Sequence, residues 1–573
     1  MVAPIPISLP HRPAPLSLAE RLSTVLPDQQ TFHLYHLSTP PTKTESLCAA
    51  PPGERDDKTY NEKHFLAIAI DINALQSSLC PSQPDHDNEC ENGSSHEEKS
   101  KSQVFIMGIE IFIFTTAFNS IFFVSKADST GYLRLLELPQ GTPSPIRAIA
   151  TAFLDHLLEA RRRKNIQSVI ALFARSQAQY LFPGSVENNK KHVLDDRSLV
   201  RWWCRVLDGV ITKRNSQQQL KTGVAKGYLI VPGLDIHEMR AFIPRNPASW
   251  ENWVLGQHPL KCISHYTREY NWVPPRCLIM RFPDDPKARF FDELDDEAHS
   301  SARTQTTGAW KSVRNLDQFW DMMAFRQECS SGQLTGFIWV VFDNSETAAA
   351  AVNYVPKATS RIDTTTAQHL QTNCRKSRRR CGNRNHLLRG PIVSRKPRVK
   401  TQTNAHLLHS VPAKTRYYDW SNAEGRGTRL VDAKGYEKVM GKLLLRLDFS
   451  SLSAATISTA RWTREVGLGD LDLESNTHEG ERPNSYRGWG VAVTGCQKIQ
   501  VARTTTGIEG GANDLNGLVK RKRTETITSA TATTTSEVVN VLGTGTIRKK
   551  QKADHTSSGS DTIVLAPVIN YNP

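Results

Sequence analysis

The run from Val104 to Val124 constrains the fold of this chain more than any other stretch. It reads Val-Phe-Ile-Met-Gly-Ile-Glu-Ile-Phe-Ile-Phe and continues to Ile121-Phe-Phe-Val124. Its length would suit a membrane span, but Glu110 sits at its centre and Asn119 interrupts it. A charged residue mid-bilayer costs roughly 3 kcal/mol. Two adjacent buried strands joined by a short turn fit better, since continuous apolar runs of this length mark strands covered on both faces.

Other segments supply the layers around such a hairpin. Val169-Ile-Ala-Leu-Phe173, Gly227-Tyr-Leu-Ile-Val-Pro-Gly233 and Phe337-Ile-Trp-Val-Val-Phe342 read as further strands. Apolar positions Ile149, Phe153, Leu157 and Leu158 predict a helix over about 146–164, with Ser144 and Pro145 as cap and first turn. Helices are also predicted at 16–26, 195–207, 318–325, 436–447 and 454–462, and a short buried strand at 274–280. The expected architecture is α/β, a central mixed β-sheet surrounded by helices.

Length alone, 573 residues, would suggest three or four domains, but only 38% of residues are hydrophobic and they are unevenly spread. One large domain over 1–470 is expected, with loop insertions at about 76–102 and 355–390. A polar loop is expected at 125–132, and residues 471–573 read as a disordered basic tail too poor in apolar residues to offset ordering entropy. That tail carries Lys520-Arg-Lys-Arg523 and Arg548-Lys-Lys-Gln-Lys552. Two such clusters point to nuclear import, although each by itself reads as a solvated charge run. The net charge of +15 favours acidic partners. Ten scattered cysteines lack zinc-site spacing and read as thiols of a reducing compartment. Met1-Val-Ala-Pro-Ile-Pro-Ile carries neither a charged leader nor a long apolar core and is not expected to act as a secretory signal.

The clearest chemical candidate is Arg281-Phe-Pro-Asp-Asp-Pro-Lys287. Proline fixes its own φ and extends the preceding residue, so Asp284 and Asp285 sit on a stiff turn outside any helix. Paired acids there can grip a cation or handle a proton. A solvated acidic turn is the alternative for this doublet alone.

Four segments in order change that balance: Phe173-Ala-Arg-Ser-Gln-Ala-Gln-Tyr-Leu-Phe-Pro-Gly-Ser185, His192-Val-Leu-Asp-Asp-Arg-Ser-Leu-Val-Arg-Trp-Trp203, the Asp-Asp turn, and Phe319-Trp-Asp-Met-Met-Ala-Phe-Arg-Gln-Glu-Cys329. Together they resemble the fungal chaperone-dependent histone H3 lysine acetyltransferases of the Rtt type, whose fold is related to that of the animal CBP-type enzymes. The resemblance covers about 104–343 closely and 391–470 more loosely.

The resemblance implies acetyl transfer from acetyl-CoA to histone H3 lysines, without a metal. By matched position it assigns Ala127, Asp128 and Ser129, then Pro143, Ser144, Pro145, Ile146 and Arg147, to the cofactor. Phe173, Gln177, His192, Val193, Leu194 and Trp202 match further cofactor contacts; core packing is the plain alternative for Phe173 and Trp202. Trp203 and Tyr180 match the acceptor tunnel. Asp284 and Asp285 would capture the substrate ammonium, with Asp285 as proton acceptor, and Lys287 matches a self-acetylated lysine.

The implied setting is the nucleus, in replication-coupled nucleosome assembly and the DNA damage response. The implied partners are H3–H4 and chaperones of the anti-silencing-function and nucleosome-assembly-protein types. Two other classes stand beside this reading. One is a non-enzymatic nucleic-acid-binding protein, resting on the pI of 9.3 and on Arg375-Lys-Ser-Arg-Arg-Arg380. The other is a hydrolase with Asp284 and Asp285 on a divalent metal.

Overall fold

The computed structural model describes residues 16–72, 102–217, 225–299, 308–326, 329, 333–342, 411–468 and 489–498. All belong to one compact unit, Met1–Ala502. The insertions expected at 76–102 and 355–390 lie almost wholly outside these residues, as do both basic clusters of the tail and Arg375–Arg380.

The predicted hairpin is the centre of the molecule. In chain order the strands begin with β1 (Thr31–Ser38), β2 (Thr42–Thr44), β3 (Thr59–Asp71), β4 (Gln103–Thr115), β5 (Asn119–Ser129), β6 (Gln167–Ala174) and β7 (Ala225–Ile230). They continue with β8 (Trp253–Leu255), β9 (Gly336–Phe342), β10 (Arg429–Leu430) and β11 (Val491–Thr494). They form one mixed sheet in the order β10-β1-β3-β4-β5-β6-β9-β7-β8, with β11 on β1 and β2 on β3. Neighbours are antiparallel except at β5–β6, β7–β8 and β1–β10. Ile109, Ile111 and Ile113 of β4 and Phe122 of β5 are fully buried, as unbroken apolar strands must be.

Helices among the described residues that flank the sheet include α1 (Leu18–Ser23), α2 (Pro145–Ala160), α3 (Asp196–Gln217), α4 (Ala288–His299), α5 (Leu316–Met323) and α6 (Leu452–Leu468). The mixed sheet with flanking helices is the architecture expected from sequence. Ser17 and Glu20 form a reciprocal capping box that starts α1. α2 packs on α1 and α3, and α6 packs on β4, where Thr459 accepts a hydrogen bond from the Phe105 N–H. No helix among the described residues is long and apolar enough to cross a membrane.

Several expectations are corrected. Residues 125–129, expected as loop, continue β5, because their backbone pairs with Met107–Glu110. Pro275–Cys277 is a 3-10 turn where a strand was expected; consecutive prolines remove the N–H groups a strand would use. The helix expected at 436–447 changes winding from α (Ala433–Glu437) to π (Lys438–Leu443) to 3-10 (Leu444–Arg446).

Inside the stretch expected to be disordered, residues 491–494 form β11, antiparallel to Thr31–Leu34, with Val493 buried. Trp489 adds ring contacts with Tyr35 and Trp462. A chain ending after residue 488 is therefore expected to be less stable than one ending after 498. The difference should be at least the about 1.5–3 kcal/mol that burial of Val493 contributes, measured by paired denaturant melts.

A second buried cluster fixes the segment 411–430. The Glu62 carboxylate accepts from Arg161 Nε (2.9 Å) and Nη2 (2.7 Å), and from Trp420 Nε1 (3.1 Å). Arg161 also donates to the carbonyls of Asn422 and Gly425. His64 joins Glu62 at 3.0 Å and His36 at 3.0 Å.

Candidate active site

The sheet changes from antiparallel to parallel pairing between β5 and β6, and a cleft of about 410 Å³ opens there. Its lining comes mostly from β5, β6, the loop 175–194 and the first turns of α3, with further residues from β4, the segment 131–134 and the start of α2. The volume is in the range of small-molecule sites. The inner wall is apolar, with Met107, Leu172, Phe173, Leu199, Trp202 and Trp203, and basic side chains line it too: Lys126, Arg134, Arg175 and Lys190.

Most residues singled out from sequence meet in this cleft. Ala127, Asp128 and Ser129 lie along one wall, and Phe173, Gln177, Tyr180, His192, Val193, Leu194, Trp202 and Trp203 along others. From the start of α2, Ser144 and Ile146 reach it; Pro143, Pro145 and Arg147 are not among its lining residues. The difference has a helical cause: Pro145 is buried, and successive side chains of a first turn point about 100° apart. Trp202 and Trp203 meet edge to face at 4.8 Å.

Asp128 also braces the cleft wall. Its carboxylate accepts from the backbone N–H groups of Tyr180 (2.7 Å), Leu181 (3.0 Å) and Phe182 (3.4 Å), and from Lys191 Nζ (2.9 Å). A side chain so occupied shapes the wall that carries Tyr180. The Tyr180 hydroxyl donates to the Arg175 carbonyl at 2.5 Å, and burial pushes the phenol up to about 12. At neutral pH it is a hydrogen-bond donor and not a base. The Arg175 Nε is buried with no hydrogen-bond partner among the described residues, so the cleft holds an N–H suited to an acceptor on a ligand.

The aspartate doublet splits. Asp285 is buried and accepts from the N–H groups of Phe282 (3.1 Å) and Lys287 (2.9 Å), while both its oxygens lie 2.7 Å from Lys287 Nζ. Asp285, expected to accept the substrate proton, is thus held by four hydrogen bonds from its own turn. Asp284 faces outward at φ +52° with its side chain 72% exposed, and pairs with Lys126 of β5 at 3.1 Å. The left-handed backbone at Asp284 is what turns the two carboxylates apart. They therefore offer no shared metal seat, and no group of three or more metal-ligating side chains occurs among the described residues.

The Asp-Asp turn and the cleft nevertheless share one ring. Phe173 lines the cleft, meets Phe282 edge to face at 5.8 Å, and carries Lys287 Nζ 4.4 Å from its centroid. Lys287 lies one aromatic layer behind the cleft wall. Burial lowers its pKa while Asp285 opposes that shift. Sequence reasoning missed Lys126, Arg175 and Lys191. All three are polar side chains in the segments singled out or next to them, but their partners are fixed only by the fold.

An apolar cleft with basic side chains and a carboxylate outside it suits transfer of a group from an anionic donor to an amine. The comparisons with known proteins identify that class as protein acetyltransferase. The histone acetyltransferase KAT11-type domain matches residues 18–168 and 161–465. The chain belongs to this family, in its fungal Rtt type. It is 32% identical to the histone acetyltransferase rtt109 of Aspergillus flavus, over 94% of this chain and 99% of that one. The rtt109 enzyme of Schizosaccharomyces pombe is 33% identical over 48% of this chain and 69% of its own. The crystal structure of Rtt109 from Aspergillus fumigatus superposes with a TM-score of 0.58 at 31% identity, covering 84% of this chain and all of that chain.

Proposed function

We propose that this acetyltransferase moves the acetyl group of acetyl-CoA to lysine side chains of histone H3. The single observation that carries the reading is the cleft itself. Its lining unites all but three of the matched cofactor positions with both tunnel aromatics. The apolar wall suits the thin pantetheine arm, and Arg134, Arg175 and Lys190 suit the phosphates. Acetyl-CoA supplies the activated thioester; the chain supplies alignment of amine and carbonyl, which by itself is a large part of such rate enhancements.

The acceptor enters past Asp284, Tyr180 and Trp203. An unperturbed lysine is almost wholly charged at neutral pH, so it must lose a proton. Asp284, the outward carboxylate, gathers the ammonium, and the aromatic slot beyond disfavours its charge. Asp285 holds the turn that aims Asp284. Lys287 is itself an acetylation site, where loss of charge would loosen its bond to Asp285.

A chain of net charge +15 repels free histone, which favours H3–H4 delivered by acidic chaperones of the anti-silencing-function and nucleosome-assembly-protein types. Residues 1–470, completed by β11, would form the catalytic unit, and the rest of 471–573 a tail that directs nuclear entry, in service of replication-coupled nucleosome assembly and DNA damage response. The test is acetylation of bare H3 against chaperone-bound H3–H4, with modified lysines mapped by mass spectrometry. Faster transfer to the chaperone complex is expected. Equal rates remove the chaperone, and no transfer to either removes the histone substrate.

A further inference from the structure

We propose that Lys126 is a resident stand-in for the substrate ammonium. It occupies Asp284 while the acceptor site is empty and must be displaced when a lysine enters. The inference rests on the acetyl-transfer reading above and concerns a residue to which no role has been given.

Three observations carry it. First, Lys126 lines the cleft, and its Nζ lies 3.1 Å from the Asp284 Oδ2, so a cation already sits where an incoming amine would meet the turn. Second, both partners remain accessible, with side chains 33% and 72% exposed. An ion pair of that kind is weak and exchangeable, unlike the buried Asp285–Lys287 pair beside it. Third, the placement of Lys126 is built into the sheet. The β4–β5 register shifts between Glu110 and Ile111, and Ser125 is the extra residue. Ser125 and Lys126 thus both fall opposite Glu110, and Ser125 donates to the Glu110 carboxylate at 2.8 Å.

Glu110 is the carboxylate that faces Lys126 from the neighbouring strand. It is committed to Ser125 and to Tyr436, whose hydroxyl donates at 2.9 Å. Burial raises its pKa and so weakens it as a rival for the ammonium. Asp284 is left as the partner of Lys126, and the same carboxylate is the outermost acid of the Asp-Asp turn.

Competition of this kind has a kinetic signature distinct from structural support. A side chain that merely braces the turn would, on removal, lower kcat or raise KM for every substrate. A competitor, on removal, lowers KM for the lysine substrate, and only while Asp284 is present. The experiment uses the full chain, acetyl-CoA and an H3–H4 substrate that the enzyme acetylates. Lys126→Met keeps the apolar stem and removes the charge. Its histone KM is expected to fall about threefold, a factor in keeping with an exposed ion pair. In an Asp284→Asn background, where KM is already raised, Lys126→Met is expected to leave KM unmoved.

A Lys126→Met enzyme with unchanged or higher histone KM overturns the proposal, as does the same KM shift with and without Asp284. A loss of kcat without a fall in KM overturns it in favour of a bracing role. Failure of the wild-type enzyme to acetylate any histone would instead refute the function on which the proposal rests, and thermal melts of each variant separate misfolding from either outcome.

Discussion

Asp285→Ala is expected to lower the stability of this protein by about 3–5 kcal/mol, the range found when one member of a buried ion pair is removed. The Asp285 and Lys287 side chains are 1% and 4% exposed. Deleting the carboxylate strands an ammonium between Phe173 and Phe337, with centroids 4.4 and 5.5 Å away. Ring faces attract a cation by about 0.5–2 kcal/mol, which does not replace a carboxylate. The backbone N–H groups of Phe282 and Lys287 lose their acceptor as well.

The double variant Asp285→Asn with Lys287→Met should regain part of the loss, since Asn keeps an acceptor for one of the two N–H groups and Met fills the aromatic gap. Urea melts on protein whose intact mass carries no acetyl group check both values. A single variant within about 1 kcal/mol of wild type would show that water reaches Lys287 and that the pair is not sealed.

The second large effect belongs to the cluster that fixes residues 411–430. Arg161→Ala is expected to cost about 3–5 kcal/mol at pH 7.5, because Glu62 is left buried and charged. Burial pushes the Glu62 carboxyl up, but Arg161 and His64 overcome it and bring it down to about 2. Burial also lowers His36, His64 and His156, the last to about 4.

The signs follow. The folded state excludes protons that the unfolded histidines accept below about pH 6.5, so stability is full above that pH and declines beneath it. His156 alone removes about 2 kcal/mol between pH 7 and pH 5. Glu62 adds a further decline from about pH 4.5 towards pH 2, as the unfolded carboxyl protonates first. In Arg161→Ala the Glu62 component reverses, since an unpaired buried carboxyl prefers its proton. The gap between wild type and variant should therefore narrow on acidification. Melting temperatures from pH 7.5 to pH 4 measure it; a constant gap would mean that Glu62 is not the group released.

The contrast between these clusters and the strands explains what a sequence can disclose. The β4–β5 hairpin and β6, β7 and β9 were legible because unbroken apolar runs admit few other placements. β3 gave no such signal: its first half holds Asn61, Glu62, Lys63 and His64; Asn61, Glu62 and His64 are buried, and the partners of Glu62, Arg161 and Trp420, lie more than 90 positions away. β10 and β11 are too short to carry a periodicity. At the site, the aromatic wall was legible from its motifs. The roles of Asp128 and Asp285 were not, because a carboxylate that caps backbone N–H groups and one that meets a ligand look alike in sequence. The left-handed backbone at Asp284 separates the doublet, and no residue type announces it.

The covering of β1 has a consequence for how the molecule is made. One of its edges is taken by β3, and the other is shared by β10 and β11, with Thr31 and Thr494 lying 463 positions apart. At ribosomal speeds of about 5–20 residues per second, that outer edge waits roughly half a minute to a minute and a half for its last partner. During synthesis it is an open template for stray strands, and the nascent chain needs a guardian there until the final residues of the sheet emerge.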